Sequence, residues 1–132
     1  MEPRPVQFVL VVDDDASIRL LCRINLELEG WTVREAATLD EARVELADGA
    51  VDVVLLDVHV GLDSGVAFLE ELRRDHPDTA VAMLTGSVGI GEPADVERVG
   101  ADAVVAKPIT LEQLSEAVRT VAAGRRIESS PS

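Results

Sequence analysis

Short apolar runs alternate along this chain with longer stretches in which apolar residues recur every three or four positions. Five runs stand out, at residues 8–12, 32–36, 51–56, 80–84 and 103–106. Continuous apolar stretches such as Val53-Val54-Leu55-Leu56 suit parallel strands covered on both faces. The second run is the weakest, since Arg34 and Glu35 interrupt it, and Asp52 interrupts the start of the third. Between the runs, Ile18, Leu21, Cys22 and Leu26 make one helical stripe, and Leu111, Leu114, Val118 and Val121 another. Thr38 with Glu41 and Thr110 with Gln113 have capping-box spacing. Gly30, Gly49 and Gly124 fall where helices would end, and Pro77 closes the helix that opens near Ser64. The pattern predicts an α/β fold of five strand–helix units in one parallel sheet. One unit departs from it. Gly86, Gly89, Gly91 and Pro93 stand where the fourth helix should begin, so that helix is expected to start only near Pro93 and to be short.

Composition narrows the class. With 132 residues there is room for one cored domain, and 47% hydrophobic residues exclude a disordered chain. The expected boundary puts that domain at residues 1–124, with 125–132 as a tail or cut linker. Twenty-five acids against twelve bases give a net charge of -13, which argues against direct nucleic-acid binding and against anionic membrane surfaces. No apolar run approaches the length of a membrane span, and residues 1–5 lead into no signal-peptide core. The single cysteine, Cys22, cannot form an internal disulfide and reads as a small core residue. A cytoplasmic protein is the expectation. Trp31, between a helix end and a strand, reads as a packing residue, and His76 carries no signal.

Ligands of open parallel sheets bind at the carboxyl ends of the strands. The residues there are Asp13, Asp14 and Asp15 after the first strand, Asp57 after the third, Thr85 after the fourth, and Lys107-Pro108 after the fifth. Asp13, Asp14 and Asp57 would repel one another unless a cation neutralised them, and hard oxygen donors of this kind suit Mg²⁺. A plainer reading makes the aspartates helix caps, with Asp15 or Ser17 capping in either case. Asp57 follows four apolar residues and so is carried to the sheet edge, where a carboxylate can attack phosphorus to give an acyl phosphate. Thr85 and Lys107 could then donate hydrogen bonds to phosphoryl oxygens, with Mg²⁺ offsetting the charge. Taken alone, Thr85 reads more simply as a strand-end turn residue and Lys107 as an ordinary surface lysine. Lys107 is, however, the only lysine among twelve bases, and an ammonium is a compact point charge that Arg does not replace at a crowded phosphate.

Val11-Val12-Asp13-Asp14, Leu55-Leu56-Asp57, Ser64-Gly65, Met83-Leu84-Thr85-Gly86, Gly100-Ala101-Asp102 and Lys107-Pro108, in this order and spacing, resemble the receiver domain of two-component response regulators. The resemblance covers about residues 6–124. It implies a flavodoxin-like, doubly wound five-stranded parallel sheet of order 2-1-3-4-5, with the site at the topological switch point. It also implies that Asp57 accepts a phosphoryl group from a histidine kinase or phosphotransfer protein. Asp13, Asp14, Asp57 and the backbone carbonyl of His59 would hold Mg²⁺, while Thr85 and Lys107 would sense the phosphoryl group. Such a domain is a signalling module rather than an enzyme, assists its own phosphorylation and dephosphorylation, and switches a downstream output domain or protein. A homodimer is compatible with it, and the Lys107–Pro108 bond is usually cis in the family.

Four features depart from the family pattern. Gly61 replaces a usual proline, so that loop is expected to be looser. Val104 stands where an aromatic switch residue is usual, residues 86–93 are glycine-rich on the same face, and His59 occupies a position that in the family tunes phosphoryl lifetime. An exposed loop position is the simpler account of His59. Two alternatives follow. One is a haloacid-dehalogenase-like phosphatase, from the Asp13-x-Asp15 spacing, although Ser17 stands where that family has Thr or Val. The other is a pseudo-receiver that binds partners without phosphorylation. A flavin-binding flavodoxin is disfavoured, because the first loop is acidic rather than rich in phosphate-cradling Ser, Thr and Gly.

Overall fold

In the computed structural model of the chain, which describes residues 8–49, 51–85, 100–106 and 110–128, Val9, Leu10, Val11 and Val12 are completely buried. Both faces of their strand are therefore covered, as the continuous apolar run requires. This is β1 (Phe8–Val12). It is followed by α1 (Ala16–Leu28), β2 (Thr32–Ala36), α2 (Leu39–Asp48) and β3 (Val53–Asp57). A two-stranded hairpin comes next, β4 (His59–Val60) and β5 (Asp63–Ser64), then α3 (Gly65–Asp75), β6 (Ala80–Thr85), β7 (Ala103–Ala106) and the helix Leu111–Glu128, here α4. The main sheet is parallel with order β2-β1-β3-β6-β7, the expected doubly wound 2-1-3-4-5 arrangement once the hairpin is set aside. The expected helix near Pro93 lies outside the described residues.

Strand alternation divides the interior into two cores. Leu10, Val12, Val54, Leu56, Val81 and Met83 face α2 and α3, where Leu39, Ala42, Leu46, Phe68, Leu69 and Leu72 meet them. Val9, Val11, Val53, Leu55, Ala80 and Ala82 face the other way, against Cys22 and Leu26 of α1 and Leu114, Val118 and Val121 of α4. Cys22 is thus a core residue, and Trp31 packs against the same cluster.

The capping residues read from sequence are largely in place. Asp15 caps α1, its Oδ1 accepting from the Ser17 N–H at 2.8 Å. Thr38 caps α2 and Ser64 caps α3. Thr110 and Gln113 close a reciprocal capping box, each backbone N–H donating to the other's side-chain oxygen at 3.1 Å. Gly30 takes a φ of 99° just past α1, a conformation glycine adopts without penalty. Gly124 does not end its helix, because α4 continues to Glu128.

Two interruptions in the strand pattern have local reasons. The third strand begins at Val53 rather than Val51, since the Asp52 side chain turns back to accept the Phe8 N–H at 2.9 Å. The polar residues of β2 are explained by its edge position. Arg34 pairs with Glu45 of α2, and Glu35 pairs with Arg19 and Arg23 of α1.

Between α2 and α3, Arg43 grips Glu71 with two bonds, Nε to Oε2 at 2.8 Å and Nη2 to Oε1 at 3.0 Å, and lies over the Phe68 ring. The Arg43 hydrogen bond holds the Glu71 carboxyl below its ordinary value of 4.5, against partial burial, which acts in the opposite sense. A depressed carboxyl contributes stability that is present above that ordinary value and lost as pH falls through the lowered one. Urea midpoints measured across the acid range should therefore fall less steeply below pH 4.5 in Glu71→Gln than in the unaltered chain, with only a small loss at neutral pH because the pair is largely solvated. In the core, Leu55→Ala should cost about 2–5 kcal/mol by urea unfolding, since Leu55 is completely buried.

Candidate metal and phosphoryl site

The order β2-β1-β3 reverses direction between β1 and β3, and the two strands are paired with Val12 opposite Leu56. Each strand therefore delivers its next residue to the same edge: Asp13 after β1, and Asp57 as the last residue of β3. Ligand oxygens of Asp13, Asp14 and Asp57 lie within 4.8 Å of one another. Among the described residues this is the one group of three or more His, Cys, Asp or Glu side chains with that convergence.

Three consecutive aspartates take different roles. Asp13 is completely buried and fixed at three points. Its N–H donates to the Ala36 carbonyl at 3.1 Å, its Oδ1 accepts the Asp15 N–H at 2.9 Å, and its carbonyl accepts Arg19 Nη1 at 2.7 Å. Asp14 is exposed at the mouth of the cluster. Asp15 turns away to cap α1, its Oδ1 engaged by the Ser17 and Ile18 N–H groups. That engagement leaves Asp15 badly placed as the acid/base partner that a haloacid-dehalogenase-like site would need.

Asp57 is 7% exposed, a buried carboxylate opening to the edge, and its Oδ1 accepts the His59 N–H at 3.2 Å. Directly after it the chain forms a short hairpin that the sequence pattern did not announce. Gly61, with a φ of 63°, turns a two-residue hairpin in which His59 pairs with Ser64 and Val60 with Asp63. At the position of the missing proline, glycine permits the left-handed turn that closes the hairpin. His59 has an exposed side chain within this hairpin. Gly65 then starts α3 against the strand end, its N–H donating to the Val58 carbonyl at 2.6 Å. A Cβ at this position would collide with the Asp57 carbonyl oxygen.

Thr85 is buried at the end of β6, one residue beyond Leu84, which pairs with Asp57. It thereby sits at the neighbouring strand end, opposite Ala106 of β7. Lys107, Pro108 and the glycine-rich stretch at 86–93 lie outside the described residues. Val104 packs partly buried against the core on the α2 and α3 side. Arg19 was not singled out by sequence, because an arginine on a helix one turn past its cap looks like any solvated charge. Three hard carboxylate oxygens converging at a sheet edge, one of them on a wholly buried residue, are a donor set that fits a divalent hard cation.

A doubly wound sheet whose switch point gathers three aspartates defines a class of α/β domains with an acidic ligand edge. The chain belongs to the response regulator receiver domain family, whose sequence model matches residues 9–119. It is 33% identical over 114 residues to the response regulator protein PilR of Pseudomonas aeruginosa, a match covering 86% of this chain and 26% of PilR. The chain spans half or less of the length of the first such relatives. Among solved structures, a CheY-like receiver domain protein from Methanospirillum hungatei superposes with a TM-score of 0.87 at 27% identity, covering 93% of this chain and 98% of that one. A response regulator protein from Burkholderia pseudomallei, solved with a phosphorylated aspartic acid, a calcium ion and citrate, gives 0.80 at 30% identity, covering 94% and 73%. Receiver domains are signalling domains rather than conventional enzymes. Among the described residues no helix is long and apolar enough to cross a membrane.

The contact at Gly65 generates a direct test. Gly65→Ala should destabilise the domain by about 1–3 kcal/mol in urea unfolding, because α3 must move off the Asp57 carbonyl. Unchanged stability would show that the helix start yields without cost.

Proposed function

We propose that this domain is a phosphorylation-controlled switch in which Asp57 accepts a phosphoryl group in the presence of Mg²⁺. The convergence of the Asp13, Asp14 and Asp57 carboxylates within 4.8 Å, at the switch point of a receiver fold, carries this reading. The related Burkholderia protein, with its phosphorylated aspartic acid and calcium ion, supports it. Asp13, Asp14, Asp57 and the backbone carbonyl of His59 are the proposed metal ligands. When bound, the cation would neutralise charge shared between the carboxylates and the incoming phosphoryl group.

The transfer is a displacement at phosphorus. A carboxylate oxygen of Asp57 forms the new O–P bond as the P–N bond of a phosphohistidine donor breaks, and the electron pair returns to the imidazole. Thr85 and Lys107 are assigned as donors to phosphoryl oxygens, reading the new charge at two neighbouring strand ends. The partners are a histidine kinase or phosphotransfer protein upstream and an output domain or protein downstream, with homodimerisation as one form of output. We assign the receiver unit to residues 1–124 and residues 125–132 to an exit segment, in a protein placed in the cytoplasm.

Incubation with Mg²⁺ and acetyl phosphate should add one phosphoryl group to the intact mass. The gain should vanish in Asp57→Asn and on removal of the metal with a chelator. No gain in the unaltered chain, or a gain that persists in Asp57→Asn, overturns the reading.

A further inference from the structure

Arg19 lies one turn into α1 and joins three elements. Its Nη1 donates to the Asp13 carbonyl oxygen at 2.7 Å, and its Nε to Glu35 Oε1 of β2 at 3.1 Å. The pair is well shielded, with the Arg19 side chain 16% exposed and that of Glu35 26%. The second Glu35 oxygen accepts Arg23 Nη1 at 2.8 Å, so the carboxylate is fixed from α1 at both oxygens. The guanidinium therefore bonds the main chain of the acidic loop on one side and an anchored carboxylate on the other. A planar fork can do this, with separate N–H groups aimed at two acceptors, whereas an ammonium presents a single point.

The site needs such a restraint. Three carboxylates within 4.8 Å repel one another, and the loop carrying Asp13 and Asp14 begins just past the end of β1, where the Asp13 N–H ties it to the Ala36 carbonyl of β2 and the Arg19 guanidinium ties it to α1. We propose that Arg19 is the positioning residue of the cation site. Clamped between Glu35 and the Asp13 carbonyl, it holds the loop after β1 so that its carboxylates stay converged for a divalent cation. The inference rests on the Mg²⁺ reading above and concerns what makes that site competent.

The sign of one measurement separates positioning from plain electrostatics. Removing a positive charge near an anionic site should, by Coulomb's law alone, tighten a divalent cation. Loss of positioning should weaken it, as loss of groups that orient metal ligands typically does by about 10–100-fold. The test is the Mg²⁺ dissociation constant by isothermal titration calorimetry, on the unaltered chain, Arg19→Ala, Arg19→Lys and Arg23→Ala. Arg19→Ala should raise the constant roughly 10–100-fold. Arg19→Lys keeps the charge but loses the fork, so it should bind more weakly than the unaltered chain and more tightly than Arg19→Ala. Arg23→Ala shares Glu35 without touching Asp13 and should stay near the unaltered value. If Arg19→Ala fails to fold, weaker binding by Arg19→Lys carries the test. Unchanged or tighter binding by the Arg19 variants overturns the inference, as does equal weakening in Arg23→Ala. If the unaltered chain takes up no Mg²⁺, the proposed function falls and the inference with it. If it binds and the Arg19 variants bind equally well, the inference alone falls.

Discussion

The parallel pairing of β1 with β3 is the interaction on which the candidate site depends. Val12 opposite Leu56 brings Asp13 and Asp57 to one edge from positions 44 residues apart in sequence. A slip of one residue would turn every side chain of a strand to the other face. Both faces of both strands are buried, with Val9 through Val12 and Val53 through Leu56 completely inaccessible, so a slip would draw a flanking aspartate into this apolar interior at a large desolvation cost. Hydrophobic burial in the middle of the strands thus sets the geometry of charged groups at their ends.

Local devices then decide what each charged group can do. Asp15 is spent on the α1 cap, which leaves Asp13 and Asp14 as the pair available to a cation. Gly61 and Gly65 act on the other side of the cluster. The first closes the hairpin after Asp57, and the second lets a helix begin against the Asp57 carbonyl where any larger residue would push back. The acidic edge is built from backbone turns as much as from side chains.

Much of this was legible in the sequence. The runs around Val9 and Val53 announced strands buried on both faces, and Thr38, Ser64 and Thr110 announced helix starts, because caps and continuous apolar runs are local signals. Asp13, Asp14 and Asp57 were legible because each follows such a run. The hairpin after Asp57 was not, since strands of two residues are too short for alternation to register, and nothing local marked Gly61 as the turn that closes it. Arg19 and Glu35 were illegible for another reason: they are 16 residues apart and meet only once β2 pairs with β1. Gly124 carried a stop signal, but α4 runs past it to Glu128, since a glycine inside a helix lowers its stability without ending it.

The division of the interior into two cores makes adjacency along the chain a poor guide to energetic coupling. Leu10 and Val11 are neighbours in sequence yet belong to different clusters, while Leu10 shares a cluster with Phe68 and Val11 shares one with Val118. Substitutions at Leu10 and Phe68 draw on the same packing, and those at Leu10 and Val118 do not. Residues in a shared cluster couple and residues apart add. The energetic map of this domain is therefore two sheets of paper printed on opposite sides of one strand layer, and a combined variant is read correctly only by asking which side each change is written on.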